Sequence, residues 1–124
     1  MGKYSAAFGE RLKQFRRDQG LALREFCRQS GFDHGNMSRI ERGLARPPTG
    51  ERLEKYLTAL GVEPETDEWY ELRDLAHTCA GEIPPEVMAE EEIVRRLPVI
   101  FRAMRREKPS KGQLDELIAV VRRE

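Results

Sequence analysis

The sequence is poor in the residue types that build chemical sites. Its 124 residues include two cysteines, two histidines and one tryptophan. Cys27 and Cys79 stand far apart, and neither belongs to a Cys-x-x-Cys pair, which excludes a structural zinc site of ordinary spacing. Two lone cysteines predict a reducing cytoplasm rather than a disulfide framework. No His-Glu-x-x-His and no glycine-rich phosphate loop occur. No apolar run approaches the roughly 18 residues that a membrane-spanning helix needs. The opening MGKYSAAFGE lacks the apolar core of a signal peptide. Strand-like alternation and internal repeats are absent as well. These gaps predict an all-α chain with no cofactor, no metal and no membrane partner.

Charge is what the chain does have. Charged residues make up 35%, against roughly 25% in an ordinary globular chain. The net charge of zero hides three blocks. Residues 1–48 carry ten Lys/Arg against five Asp/Glu, residues 49–92 three against thirteen, and residues 93–124 nine against four. A near-neutral whole therefore holds two basic ends around an acidic middle. The local field, not the sum, decides whether a face attracts a polyanion.

Apolar spacing predicts five helices before residue 81. Phe8, Leu12 and Phe15 follow i, i+4, i+7 spacing, and Gly20 closes that helix. Phe26 and Cys27 mark the inner face of the second. Asp33 is positioned to cap the third, whose inner face is Met37 and Ile40 and whose stop is Gly43. Pro47-Pro48 breaks the chain rigidly. Thr49 is read as the cap of the fourth helix, with Leu53, Leu57 and Leu60 inside. Thr66 is read as the cap of the fifth, where Asp67 and Glu68 favour the helix dipole and Trp69, Leu72, Leu75, Ala76 and Cys79 form the apolar side. The prolines of Gly81–Pro85 mark the boundary, so the predicted domains are 1–80 and 81–124. Beyond it, Ile93, Val94, Leu97, Ile100, Phe101 and Met104 line one helix, which Pro98 either kinks or restarts. Ser110 and Gln113 match a capping box for the last helix.

The stretch LALREFCRQSGFDHGNMSRIERG, residues 21–43, reads as two short helices joined at Gly31. Such a pair can present its second helix to the major groove of duplex DNA. With Met37 and Ile40 inward, His34, Gly35, Ser38, Arg39 and Arg42 fall on the opposite face. Arg39 is long enough for a bidentate contact to a guanine edge, and His34 sits in the first turn, where base contacts fall. Gly35 leaves room for close backbone approach or a thymine methyl. We read His34, Gly35, Ser38 and Arg39 as base-reading, and Arg24, Asn36, Arg42 and Arg46 as phosphate-positioning.

On these residues the chain resembles the Cro/CI-like (XRE) helix-turn-helix regulators. The resemblance runs from about Phe8 to Val62 through ERLKQFRRDQGL, the turn at Gly31, MSRIERG, Pro47 and LTALGV. It implies a five-helix, lambda-repressor-like domain that binds a two-fold, palindromic operator as a homodimer. It also implies that positions 34, 35 and 39 face bases and that Arg16 pairs with Glu41 inside the domain. One departure stands out. Ala22 and Leu23 occupy the positions where family members often open the second helix with Thr/Ser-Gln. The hydroxyl cap is lost at about 1 kcal/mol, and Leu23 is left to meet a thymine methyl or a partner.

Residues 86–124 are too few to hold a core alone. Their apolar positions Leu97, Phe101, Met104, Leu114, Leu117, Ile118 and Val121 are read as a dimer or partner face. The tail VIFRAMRREKPSKGQLDELIAVVRRE resembles that of repressors inactivated by a partner metalloprotease, with an apolar-Arg step, a basic-Pro turn and a last amphipathic helix. That implies cleavage near Met104-Arg105. Three readings stay open: an autoregulating repressor, an antitoxin that grips a toxin, and a metalloprotease-sensitive repressor. Asp33, His34 and Ser38 sit on the DNA side and form no catalytic set, so the chain is not read as an enzyme. His77 is read as a surface or packed residue, Cys27 and Cys79 as small core residues, and Trp69 as core or interface. The reading places the protein in the cytoplasm, on the nucleoid.

Overall fold

The computed structural model describes residues 3–123, with the side chains of residues 3–5 left aside. The described residues form helices and turns without a strand. Five helices come first: α1 (Lys3–Asp18), α2 (Leu23–Ser30), α3 (His34–Glu41), α4 (Gly50–Ala59) and α5 (Asp67–Ala80). Three follow: α6 (Pro85–Met88), α7 (Glu91–Glu107) and α8 (Lys111–Arg122). The fold is all-α. By their contacts the described residues divide into one compact unit up to Pro84 and a second from Pro85 onward.

In the first unit, α1 packs on α3 and α5, and α2 packs on α3. Phe8 and Leu12 of α1, Phe26 of α2, Met37 and Ile40 of α3, Leu53 and Leu57 of α4 and Leu72 of α5 are fully buried together. Burying each such side chain contributes about 1.5–3 kcal/mol, and these are the residues whose spacing marked the inner helix faces. Phe32, in the turn, stacks edge-on against Tyr56 with ring centroids 4.4 Å apart. Leu23 lies half-buried against this core. Leu21 and Leu23, rather than a cap, hold the start of α2. Ala22 makes no capping bond.

Local chemistry sets most helix ends. The Asp33 carboxylate accepts from the Asn36 backbone N–H at 2.8 Å. The Thr66 hydroxyl accepts from the Trp69 N–H at 3.3 Å. Gly31 ends α2 in the left-handed conformation at φ 75°. Thr49 is an exception: it precedes α4, but its side chain caps nothing. At the other end of α4 the Gln19 side-chain amide donates to the Leu60 carbonyl, which satisfies an end of α4 from the α1–α2 turn. Gly81 and Glu82 remain attached to α5, since the Glu82 N–H donates to the His77 carbonyl at 2.9 Å.

In the second unit α6 packs against α7. Pro98 lies inside α7, which runs unbroken to Glu107. It therefore does not open a new helix. Ser110 and Gln113 form a reciprocal capping box at the start of α8, with bonds of 3.2 and 2.8 Å. No residue of α7 or α8 is buried. No described helix is long and apolar enough to cross a membrane.

Candidate nucleic-acid interface

Helix α3 is held from behind with unusual closeness. Gly9 of α1 sits against its last turn, where a Cβ would stand 2.3 Å from the Ile40 carbonyl oxygen and 2.6 Å from that of Glu41. Only hydrogen fits there. Gly43 makes a similar approach to Ala6, with 2.9 Å from a Cβ to the Ala6 Cα, and its φ of 73° already favours glycine. The Arg16 guanidinium forks onto the Glu41 carboxylate through Nε at 2.8 Å and Nη2 at 2.9 Å. Its third donor reaches the Leu21 carbonyl at 2.7 Å. The Glu41 hydrogen bond raises the Arg16 pKa above its ordinary value. The pair is buried, with Arg16 and Glu41 each 6% exposed.

The other side of α3 is open. His34, Gly35 and Arg39 are exposed, and Ser38 is half-exposed. Past the end of α3, Arg42 and Arg46 are exposed too. The Arg39 guanidinium donates to the Leu44 carbonyl at 3.3 Å. That is longer than the common range of about 2.7–3.2 Å, and an exposed contact of this length exchanges readily for a better acceptor. Arg24 is exposed at the start of α2. Asn36 differs from the others: it is half-exposed and turns into a groove with Ser30, Gly31, Phe32, Asp33, Arg52, Lys55 and Tyr56.

Arg52 and Lys55 in that groove escaped the reading of the sequence. They are exposed on α4, and the groove that begins at the cap of α3 brings them beside Asp33 and Asn36. A signal was there: with Arg73 they are the only cations among residues 49–92. Arg73 behaves differently, lying over the Trp69 ring at 4.2 Å and 3.4 Å from Glu54. Arg11, one of the N-terminal cations, is taken by Glu71 at 2.8 Å and by the Phe15 ring.

A short helix capped by an aspartate is pinned by an ion pair and a glycine contact and turns a basic, hydroxyl-bearing face outward. This is the geometry of the second helix of a helix-turn-helix. The family model of the helix-turn-helix domain matches residues 7–69. The chain belongs to that family. Within it the chain is XRE-like: it is similar to the HTH-type transcriptional regulator SinR of Bacillus subtilis strain 168, 37% identical over 58 residues. It is likewise similar to SinR of Bacillus licheniformis, at 36% over 58 residues. Each alignment covers 47% of this chain and 52% of the relative. The chain thus spans about half the length of the curated relatives it matches. No solved structure matches it. In this helix-turn-helix protein the matched part ends within α5, so α6, α7 and α8 lie wholly outside the match.

Proposed function

We propose that this helix-turn-helix protein is a sequence-specific DNA-binding regulator of transcription, acting as a homodimer that represses its own or a neighbouring promoter by covering it. One observation carries the reading: the outward face of α3 exposes His34, Gly35 and Arg39 while its inward face is locked to α1. In this reading Arg39 meets a guanine edge, and His34, Gly35 and Ser38 complete the base contacts. Arg24, Asn36, Arg42 and Arg46 hold the phosphates on both sides, and Arg52 and Lys55 extend that set. A protein working in this way resides on the nucleoid, in the cytoplasm.

The second unit supplies the dimer in this reading. Leu97 and Met104 are half-exposed, and Phe101, Leu114, Leu117, Ile118 and Val121 are exposed. Two copies of that surface, paired about a two-fold axis, would bury it and set two α3 helices about 34 Å apart, one turn of DNA. A toxin or a metalloprotease is the competing occupant.

Selection of bound sequences from random duplexes tests the reading. The expected result is a two-fold motif whose half-sites lie about 10 base pairs, or a multiple, apart. A pool that shows no enrichment overturns it. Enrichment of a single, asymmetric site would remove the dimer and keep the regulator.

A further inference from the structure

Beyond the α3 face, we infer that the α7–α8 turn carries a second DNA-binding surface, a cluster of cations that meets phosphates whatever the sequence. This inference rests on the DNA-binding reading above. Arg102, Arg105, Arg106, Lys108 and Lys111 lie within ten residues, with Glu107 as the only acid among them. All five are exposed. None of their side chains has a hydrogen bond or ion pair with another described residue.

Unpaired cations such as Arg17, Arg24, Arg42 and Arg46 also occur in the first unit, but they are scattered, whereas other cations are taken by carboxylates. Arg11 is taken by Glu71, Arg16 by Glu41, and Arg28 by Glu25. At the start of α7, Arg95 and Arg96 are both taken by Glu92. From Arg102 onward the compensation stops, at the end of α7 where the helix dipole is negative and itself favours cations. Five cations within ten residues, with Glu107 as the only acid among them, repel one another, and a polyanion removes that repulsion.

The arrangement on α7 selects the kind of polyanion. At about 3.6 residues per turn, Ile93, Leu97, Ile100, Phe101 and Met104 share one face, while Arg102 and Arg106 fall on the opposite one. A helix lying in a membrane places its cations beside the apolar face, where they reach headgroups as that face sinks. Here Arg102 and Arg106 point away from it, and of the cluster's cations on α7 only Arg105 borders it. The apolar face can therefore be covered by protein while the basic face meets DNA. Successive phosphates place one charge per about 3.4 Å of axis on each strand, a density that several of these side chains can meet together.

The test uses the full chain, the duplex selected above and a mixed-sequence duplex, titrated by fluorescence anisotropy between about 50 and 200 mM salt. Each cation that meets a phosphate adds about 0.9 to the slope of log affinity against log salt. Combining R102Q, R105Q, R106Q and K111Q, with Lys108 kept because its φ of 43° shapes the turn, lowers the slope by about two to four on both duplexes and leaves their affinity ratio intact. Combining R102K, R105K and R106K retains the slope, which a role for the guanidinium shape would not allow. Arg39→Ala does the reverse of the glutamine variant, lowering the ratio while changing the slope by about one at most.

A glutamine variant whose slope matches the parent's overturns the inference. If its sedimentation shifts instead, the cations serve contacts between chains. If it loses binding to phosphatidylserine vesicles that the parent binds, and the duplex slope is unchanged, they serve a membrane. Circular dichroism of the variant separates each of these from unfolding, and the lysine variant tests the slope if the glutamine one unfolds. A parent that binds no duplex sinks the regulator reading together with this one. Selective binding with an unchanged slope sinks this one alone.

Discussion

Arg16 grips Glu41 through two parallel hydrogen bonds of 2.8 and 2.9 Å, with both residues 6% exposed. With its third bond, to Leu21, one guanidinium joins α1, the end of α3 and the approach to α2. Removing one partner of such a pair leaves a buried charge and costs about 3–5 kcal/mol, whereas replacing both by apolar side chains is often nearly neutral. Glu41→Ala should therefore lower the unfolding free energy in urea by about 3 kcal/mol or more. The double variant Arg16→Met, Glu41→Leu should lose much less than the two single changes summed. A single loss below about 1 kcal/mol would mean that the pair holds little together.

Gly9→Ala isolates the contact between α1 and α3. Alanine favours a helix over glycine by about 1 kcal/mol, so propensity alone predicts stabilisation. The added Cβ would instead meet the Ile40 carbonyl at 2.3 Å, and backbone cannot swing aside as a side chain does. The expected outcome is a net loss of about 1–3 kcal/mol, read as a lower thermal midpoint. An unchanged or raised midpoint would show that the helices part without cost.

Arg39→Ala probes base reading. The change should weaken binding to the selected duplex by about 1–3 kcal/mol and relax the preference at one base position. Only the 3.3 Å contact to Leu44 is lost from the fold, so stability should stay near that of the parent. Footprints identical to the parent's on selected and control DNA would remove Arg39 from the interface.

Stopping the chain after Ala103 tests the proposed dimer. The truncation deletes Met104 and all of α8, and with them Leu114, Leu117, Ile118 and Val121 of the proposed dimer face. Light scattering should then report monomers, and operator affinity should drop because two linked half-sites no longer bind as one. A truncated chain that still scatters as a dimer would assign the interface to another part of the protein.

Cys27 carries a pH dependence. Burial, chiefly, and then Glu41 push its thiol up, and the residue is 3% exposed. Below the unfolded value, about 8.5, the thiol is protonated in both states and its contribution to stability is complete. Above it the unfolded chain ionises first, and that contribution is lost as pH climbs through the raised folded value. Between about pH 8 and 10 the parent should lose more unfolding free energy than Cys27→Ala does. Parallel pH curves would show that the thiol titrates alike in both states.

The helices were legible because each is encoded locally. Apolar residues at helical spacing, with Asp33, Thr66 and Ser110 as caps, need only a few neighbouring positions to express themselves. Thr49 had the right chemistry, yet it makes no capping bond, and Pro98 offered two outcomes that only the folded chain separated. Leu23 stands among candidate DNA contacts in the sequence, and only the fold shows that it also packs, half-buried, against the core.

Periodicity alone determined an all-helical chain, and the turn at Gly31 followed by MSRIERG determined which short helix turns its polar side outward. Tertiary structure alone decided that Gly9 leaves no room beside Ile40, that Arg52 and Lys55 border the groove at Asp33, and that the cations after Arg102 lack partners in the described chain. The physical reason is range. Helix propensity and capping act between residues a few positions apart, whereas close packing and charge compensation depend on which distant segments the fold brings within a few ångströms.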